Sequence, residues 1–186
     1  KTIDEVRAEI SNELQQQTQQ HADDLEAQKE SLRAAEERTR QILESAAEGI
    51  FGVDTEGDIT FVNPAACRML GHSQEELIGK PSHATFHQHH PDGSEYLIEE
   101  CAMYAAYKLG KASRIDNECL WCKDGTGLPV EYGATPILKD GAIVGAVISF
   151  TDITERKRNE QALAASEQKI RRILETTTEG FWLIDN

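Results

Sequence analysis

The chain has 186 residues, 33 of them Asp or Glu against 19 Lys or Arg, for a net charge of −14. That balance argues against nucleic acid and anionic membrane surface as partners, since both need a basic face. No apolar run approaches the roughly 20 residues of a membrane span, and the N-terminus lacks the apolar core of a secretory signal. The expected setting is therefore cytoplasmic, with no direct membrane contact in this piece and any anchor of a parent protein lying elsewhere. Cys67, Cys101, Cys119 and Cys122 are spread through predicted helix and strand rather than a loop-rich scaffold, and read as reduced thiols.

Residues 1–47 are almost entirely polar and contain neither Pro nor Gly. Ile3, Val6, Ile10, Leu14, Leu25, Leu32, Ala35, Ile42 and Ala46 recur mostly at steps of three and four, as a coiled-coil seam requires. Gln17, His21 and Gln28 fall on the seam, and consecutive four-residue steps around Ile10–Leu14 and His21–Leu25 break the heptad. Two readings stay open: a solvated linker helix that is marginal alone, or a parallel dimer helix weak enough for its register to shift.

Residues 48–63 predict a β-hairpin around Asp54-Thr55-Glu56-Gly57, with Gly57 available for a positive φ. Asn63-Pro64 predicts a helix start, Asn as cap and Pro in the first turn, and Gly71 its end. Ser73-Gln74-Glu75-Glu76 is a capping box for a second short helix that stops near Gly79-Lys80-Pro81. Residues 82–95 read as irregular, with a turn at Pro91-Asp92-Gly93-Ser94. A helix is expected over 97–109, closed by Gly110. Three strands follow at about 112–122, 127–137 and 142–152, the second alternating through Leu128, Val130, Tyr132 and Ala134, with turns at Lys123-Asp124-Gly125 and Lys139-Asp140-Gly141. In the third, Ile143, Val144, Val147, Ile148 and Phe150 read as a buried strand. Asp152-Ile153-Thr154 then leads without a linker into a charged helix, which Asp152 or Thr154 is placed to cap. A core strand that runs directly into an exposed helix is a mechanical coupling. The hairpin turns argue for an α+β domain: a five-stranded antiparallel sheet with helices on one face, flanked by long N- and C-terminal coiled-coil helices.

The chain also repeats itself. ILESAAEGIFGVD at 42–54 matches ILETTTEGFWLID at 173–185 at Ile, Leu, Glu, Glu, Gly and Asp, and Ala34, Glu36 and Arg40 align with Ala165, Glu167 and Arg171. The match passes from helix into strand, so the expected organisation is a signalling helix at 1–47, a domain at 48–152, a linker helix at 153–178 and the start of a second domain copy at 179–186.

Four of the six His lie at His83, His87, His89 and His90, with Cys101, Glu99 and Glu100 near in sequence. Imidazole and thiolate ligate Zn, Fe or Cu when they converge; the alternative is a surface loop whose His residues bond the backbone. Cys119-x-x-Cys122 falls on a predicted strand, where an odd separation sends the thiols to opposite faces. No Gly-rich phosphate loop and no nucleophile elbow is present.

Residues about 40–156 resemble the PAS family. EGIFGVDTEGDITFVNPAACRMLGHSQEELIGK is similar to its first strands and helices, LWCKDGTGLPVEYGATPI to its long central hairpin, and AVISFTDITER to its last strand and exit motif. HATFHQHHPDGSEYLIEECAMY resembles a subgroup common in bacterial sensor kinases, from which this copy departs by lacking a Pro between Tyr96 and Glu99. The resemblance implies a sensory or dimerisation module rather than an enzyme, with Asp152 and Thr154 forming the junction to the output helix and Lys123 as the expected partner of Asp152. Candidate pocket residues are Asn63, Tyr104, Trp121 and Tyr132, and the residue types themselves make His83, His87, His89, His90 and Cys101 the metal-ligand candidates. The resemblance names no cofactor. Cys67-Arg68 sits in the wrong helix for flavin photochemistry of the LOV type, and the helix at 97–109 has no His for haem. The implied partners are a second copy of the chain, through coiled-coil helices at 1–47 and 153–175, and downstream PAS or kinase domains of the same chain. The implied output is a bacterial sensor histidine kinase of a two-component system, with a diguanylate cyclase indistinguishable within this piece. Alternatives are a ligand-free structural relay and a metal- or haem-binding redox sensor.

Overall fold

The structure, a computed structural model, describes residues 2–181, and describes side chains for these except 4–11 and 176–181. The chain divides into two units after Ser45.

The first unit is a single helix, α1 (Ile3–Ser45), of 43 residues, which at 1.5 Å per residue is about 65 Å long. Its surface carries pairs spaced four apart: Gln19 donates to Asp23 at 2.8 Å and Gln41 to Glu37 at 3.0 Å. Such pairs add only about 0.2–0.5 kcal/mol each. Leu14, Leu25, Leu32 and Ile42 are 61–67% exposed along it.

The second unit opens with β1 (Gly49–Val53) and β2 (Ile59–Val62), then α2 (Pro64–Leu70), α3 (Gln74–Leu77) and α4 (Ser82–Phe86). A 3-10 turn (Ile98–Glu100), α5 (Ala102–Leu109), β3 (Ser113–Trp121), β4 (Gly127–Lys139), β5 (Ala142–Asp152) and α6 (Thr154–Phe181) complete it. The described strands form one antiparallel sheet in the order β2-β1-β5-β4-β3. The expected five-stranded architecture is the one observed. Among the described residues no helix is long and apolar enough to cross a membrane.

The sheet's inward face presents Phe51 and Val53 from β1, Val130, Tyr132 and Ala134 from β4, and Ala146, Ile148 and Phe150 from β5, all buried. Helices cover that face with Ala66, Leu70, Leu77, Phe86, Met103, Ala106 and Tyr107. Phe51 meets Phe86 edge-on at 5.1 Å between centroids, and Phe150 at 6.2 Å. Such pairs are worth about 0.5–1.5 kcal/mol beyond their buried area.

Local chemistry fixes the helix starts as the sequence predicts. The Asn63 side chain accepts from Ala66 N at 2.9 Å to cap α2. Ser73 and Glu76 close a reciprocal capping box on α3. Gly71 and Gly110 end α2 and α5.

Three expectations need correction. Residues 82–95 are not wholly irregular, because Ser82–Phe86 is helical. The helix expected over 97–109 is broken: Cys101 is extended (φ −71°, ψ 124°) between the 3-10 turn and α5. The Cys101 thiol lies in the core, and α5 packs through Met103, Ala106 and Tyr107. Val144 is 42% exposed rather than buried, because Gly145 faces Ile137 and Ile143 faces Leu138, leaving Val144 as the extra residue of a bulge. Past the domain, Glu179–Phe181 lie in α6, and 182–186 of the expected second copy lie outside the described residues.

Gly145 is what allows the bulge. Its φ is +152°, and a Cβ there would lie 2.1 Å from the Val53 carbonyl oxygen. Backbone, unlike a flexible side chain, cannot step aside. Gly145→Ala is expected to destabilise the domain by at least about 2 kcal/mol, lowering its melting temperature by roughly 8 °C or more; calorimetry of the variant checks this.

Candidate functional site

Two places in the domain carry chemistry beyond packing: a buried polar cluster beneath α4, and the passage from β5 into α6.

The cluster begins with α4. Its start is clipped to the β1–β2 turn by Ser82 N–H donating to Gly57 O at 3.0 Å. His83 and His87, four apart, lie on one helical face. The next segment is a small hairpin. His90 N–H donates to Ser94 O at 2.8 Å and Tyr96 N–H to Gln88 O at 2.9 Å, around the Pro91–Ser94 turn. Trp121 pins this hairpin to the end of β3, its Nε1 donating to His89 O at 2.9 Å. The fold thereby lays Tyr96 against the His87 ring, 4.8 Å between centroids, with Tyr132 on another side at 5.8 Å.

His87 is fully buried. Its Nδ1 lies 3.2 Å from Cys101 Sγ, and its Nε2 lies 4.0 Å from a carboxylate oxygen of Glu118. Glu118 is itself buried, turned inward next to a bulge in β3 between Ile115 and Glu118. The Cys101 S–H is the donor of that pair, so His87 Nδ1 offers its lone pair and Nε2 carries the proton, with no hydrogen-bond partner among the described residues. His83 is fixed too. Its Nε2 is 2.8 Å from Tyr96 O, and a carbonyl only accepts, so Nε2 holds the proton. His83 Nδ1 is then a bare lone pair, buried, with no hydrogen-bond partner among the described residues. One ligand atom each from His83, His87 and Cys101 lies within 4.8 Å of the others.

Burial, and then the charges of His83 and His90, push the His87 pKa down to about 3. Burial raises the Cys101 thiol, with Glu118 adding a smaller push in the same direction. Desolvation likewise raises the Tyr96 and Tyr132 phenols.

Of the ligand candidates, His83, His87 and Cys101 converge and the other two do not. His89 packs edge-on against Trp121, and His90 stacks on Tyr96 at 4.1 Å. Of the pocket candidates, only Tyr132 adjoins the cluster, its hydroxyl buried without a hydrogen-bond partner among the described residues. Asn63 is buried but acts as a clip: its Oδ1 accepts from Ile50 N, and its Nδ2 donates to Glu48 O, each at 2.9 Å. Tyr104 packs against Tyr107 at 5.5 Å. Trp121 holds the His89 carbonyl. Sequence reasoning missed Glu118 and Tyr96. Glu118 was findable, since it shares strand parity with inward-facing Leu120 and an acid on that face is anomalous. Cys119 and Cys122 are not joined, Cys122 lying just past the end of β3; the Cys122 thiol donates to Met69 O at 3.3 Å, and all four cysteines are free.

At the second place, Asp152 Oδ1 accepts from Thr154 N at 2.7 Å and caps α6. Ile153 is buried, and its N–H donates to Pro129 O in β4 at 3.0 Å. One turn on, Arg156 donates to Glu131 at 2.9 Å and to Asp116 O at 3.3 Å. Lys123 is not the partner of Asp152; it pairs with Glu76 of α3. The β3–β4 turn places Lys123 at the α2–α3 end of the domain, where its N–H donates to Leu70 O at 2.9 Å.

A family model described as PAS fold matches residues 37–153. Among curated proteins, the chain is 33% identical over 142 residues to one named Probable diguanylate cyclase DgcE of Escherichia coli K12, covering 74% of this chain and 12% of that protein. It is 26% identical over 147 residues to the signal transduction histidine-protein kinase AtoS of the same organism, covering 75% of this chain and 22% of that protein. The chain thus spans 12–22% of the length of these relatives. Among solved structures, the PAS domain of a Colwellia psychrerythraea protein superimposes with a TM-score of 0.53 at 23% identity, covering 64% of this chain and 97% of that one. The PAS domain of an HTR-like protein from Haloarcula marismortui gives 0.54 at 16% identity, covering 69% and 99%.

The depressed His87 pKa has a consequence for stability. The unfolded chain binds a proton at this residue below its ordinary value of 6.5, whereas the folded chain resists until about pH 3. The contribution is therefore complete above pH 6.5 and is lost as pH falls toward 3, at up to about 1.4 kcal/mol per pH unit. In chelator-containing buffer, a His87→Gln variant is expected to show a shallower loss of unfolding free energy over that window than the parent chain. Equal slopes in denaturant titrations would contradict this.

Proposed function

The chain belongs to the PAS family, and from that premise we propose that it is a dimeric relay: a change in the sheet or its buried cluster alters the packing of α6, and the coiled-coil helices carry that change to an output domain. The observation that carries this reading is the junction. β5 is bonded to β4 along its length and to β1 over Ala146–Phe150. The next two residues leave no slack, because Asp152 caps the helix and Ile153 is bonded to β4. Arg156 adds a clamp from α6 to the two strands beside β5 on that side, through Glu131 of β4 and Asp116 of the edge strand β3. A twist or shear between β3, β4 and β5 has to be taken up by the first turn of α6.

Exposed seams support dimerisation. On α6, Leu163, Ile170, Ile173 and Leu174 are 55–62% exposed at coiled-coil spacing. On α1, Leu14, Leu25, Leu32 and Ile42 form a comparable row. Each such side chain gains about 1.5–3 kcal/mol when fully buried, and a second copy in parallel register covers both rows. The heptad breaks in α1 fit a seam whose register shifts at modest cost, as a two-state relay requires. Phe51, Phe86, Met103, Tyr107, Tyr132 and Phe150 are buried under the helices, and in this reading the relay works without an organic ligand there.

Relatives of both output kinds carry similar sequence. We assign a histidine kinase as the output of this chain's parent; the module itself carries no catalysis in this reading. Phosphotransfer and cyclic-dinucleotide assays on the parent protein decide between the two outputs.

Two outcomes are expected. Sedimentation equilibrium on the 186-residue chain should show a dimer, and Leu32→Glu should weaken it at least about tenfold by burying a charge on the seam; a concentration-independent monomer would sink the coiled-coil mechanism. In the parent protein, Asp152→Ala should uncouple output from stimulus while leaving the domain folded. An unaltered response would refute the junction as the transmission point.

A further inference from the structure

We propose that His83, His87 and Cys101, backed by Glu118, bind a divalent transition-metal ion of the zinc class, and that this ion is the input the relay reads. The binding half stands on its own; the input half rests on the relay reading.

Four observations converge on this site. The ligand set is two imidazoles and a thiol, which suits zinc and its neighbours and disfavours calcium and magnesium. The ligand atoms lie within 4.8 Å of one another. Bond lengths of about 2.0–2.3 Å place adjacent ligand atoms of a tetrahedral zinc site about 3.3–3.8 Å apart, so side-chain rotations of about an ångström close the set.

The tautomers are already those of a metal site. His83 Nε2 is committed to the Tyr96 carbonyl at 2.8 Å, and His87 Nε2 faces Glu118 at 4.0 Å. Each ring therefore turns its Nδ1 lone pair away from its acceptor. Metal-bound histidines characteristically donate their other N–H to a carbonyl or carboxylate. Here His83 already makes the carbonyl bond, and the Glu118 carboxylate stands 4.0 Å from His87 Nε2, just outside hydrogen-bond reach. His83 Nδ1 is a buried lone pair with no hydrogen-bond partner among the described residues, a cost that only a proton donor or a cation relieves.

Charge also balances. On binding, the Cys101 thiol gives its proton to solvent and becomes thiolate. A divalent ion with one thiolate and two neutral imidazoles leaves one positive charge, and Glu118 supplies the compensating negative charge. Glu118 is buried, and among the described residues its only ion-pair partner is His87. A surface cleft of about 550 Å³, lined by His83, Gln88, His89, Tyr96 and Ile98 among others, reaches the edge of the site at His83 and is ample for a hydrated ion.

The ion would tie α4 to the start of α5 and to β3. Glu118 lies two residues from Asp116, whose carbonyl accepts from Arg156 at the start of α6. Tightening β3 around the cluster therefore acts directly on the clamp at the output helix.

The test uses the reduced, chelator-treated full chain titrated with Co²⁺ and then with Zn²⁺. One Co²⁺ per chain is expected, with a thiolate-to-cobalt charge-transfer band that Zn²⁺ abolishes. Cys101→Ser should remove the band, and His83→Gln should weaken Co²⁺ binding, with circular dichroism confirming that both variants fold. Glu118→Gln should weaken Zn²⁺ about 10- to 100-fold, the usual cost of losing an outer carboxylate. No charge-transfer band, a band that survives in Cys101→Ser, or affinity untouched by His83→Gln overturns the site. For the input role, a Leu163→Cys variant that retains Cys101 should cross-link between copies at a rate that Zn²⁺ changes at least about twofold. Binding without any change in cross-linking overturns the input role, and leaves the relay to be judged separately by Asp152→Ala.

Discussion

β5 is bound on both edges and is also the stem of α6, and most of the domain's behaviour follows from that double duty. A strand paired with β1 on one side and β4 on the other cannot slip by one residue. Such a slip would turn Ile148 and Phe150 out of the core and flip every other side chain with them. Large rearrangement is closed to it, and small changes of twist or shear remain. The Asp152 cap and the Ile153 bond to Pro129 extend that restriction across the strand–helix boundary. Without them the first turn of α6 would fray, since the first four N–H groups of a helix have no partners of their own.

The sheet, its order of elements and nearly every turn were legible because their signals are local. Asn63-Pro64, the Ser73–Glu76 box and the Lys139-Asp140-Gly141 turn specify backbone conformation within a few residues. The misreadings share a different origin. The break at Cys101 comes from a thiol drawn toward His87, fourteen positions earlier in the chain, which helical periodicity does not register. Val144 is exposed because a bulge in β5 is matched to β4, and bulges are a property of pairs of strands. Lys123 was assigned to Asp152 on family grounds, yet it belongs to Glu76, forty-seven positions away. The cluster was half legible. Two His at helical spacing and a cysteine were visible, whereas the exclusion of His89 and His90 depends on how the 88–96 hairpin folds back over Tyr96.

The interior polar groups explain why that hairpin is so firmly held. Glu118, His87 and the Tyr132 hydroxyl are all removed from water, and each buried polar group left short of a partner costs about 1–3 kcal/mol. Backbone hydrogen bonds within the hairpin set its shape, and the Trp121 indole and the His83 ring tie it down over them. A domain of this size could fill the same volume more cheaply with aliphatic side chains. The polar cluster is thus a local expense met by the surrounding apolar core of Phe51, Phe86 and Phe150.

Burial raises the thiols of Cys67, Cys101, Cys119 and Cys122 alike. The attacking species in thiol chemistry is the thiolate, so each of the four is a slow nucleophile in the folded domain. Peroxide, alkylating electrophiles and disulfide exchange therefore meet little reactive sulfur. That brake belongs to the metal-free domain: coordination of an ion would hold Cys101 as thiolate, a form that burial otherwise disfavours.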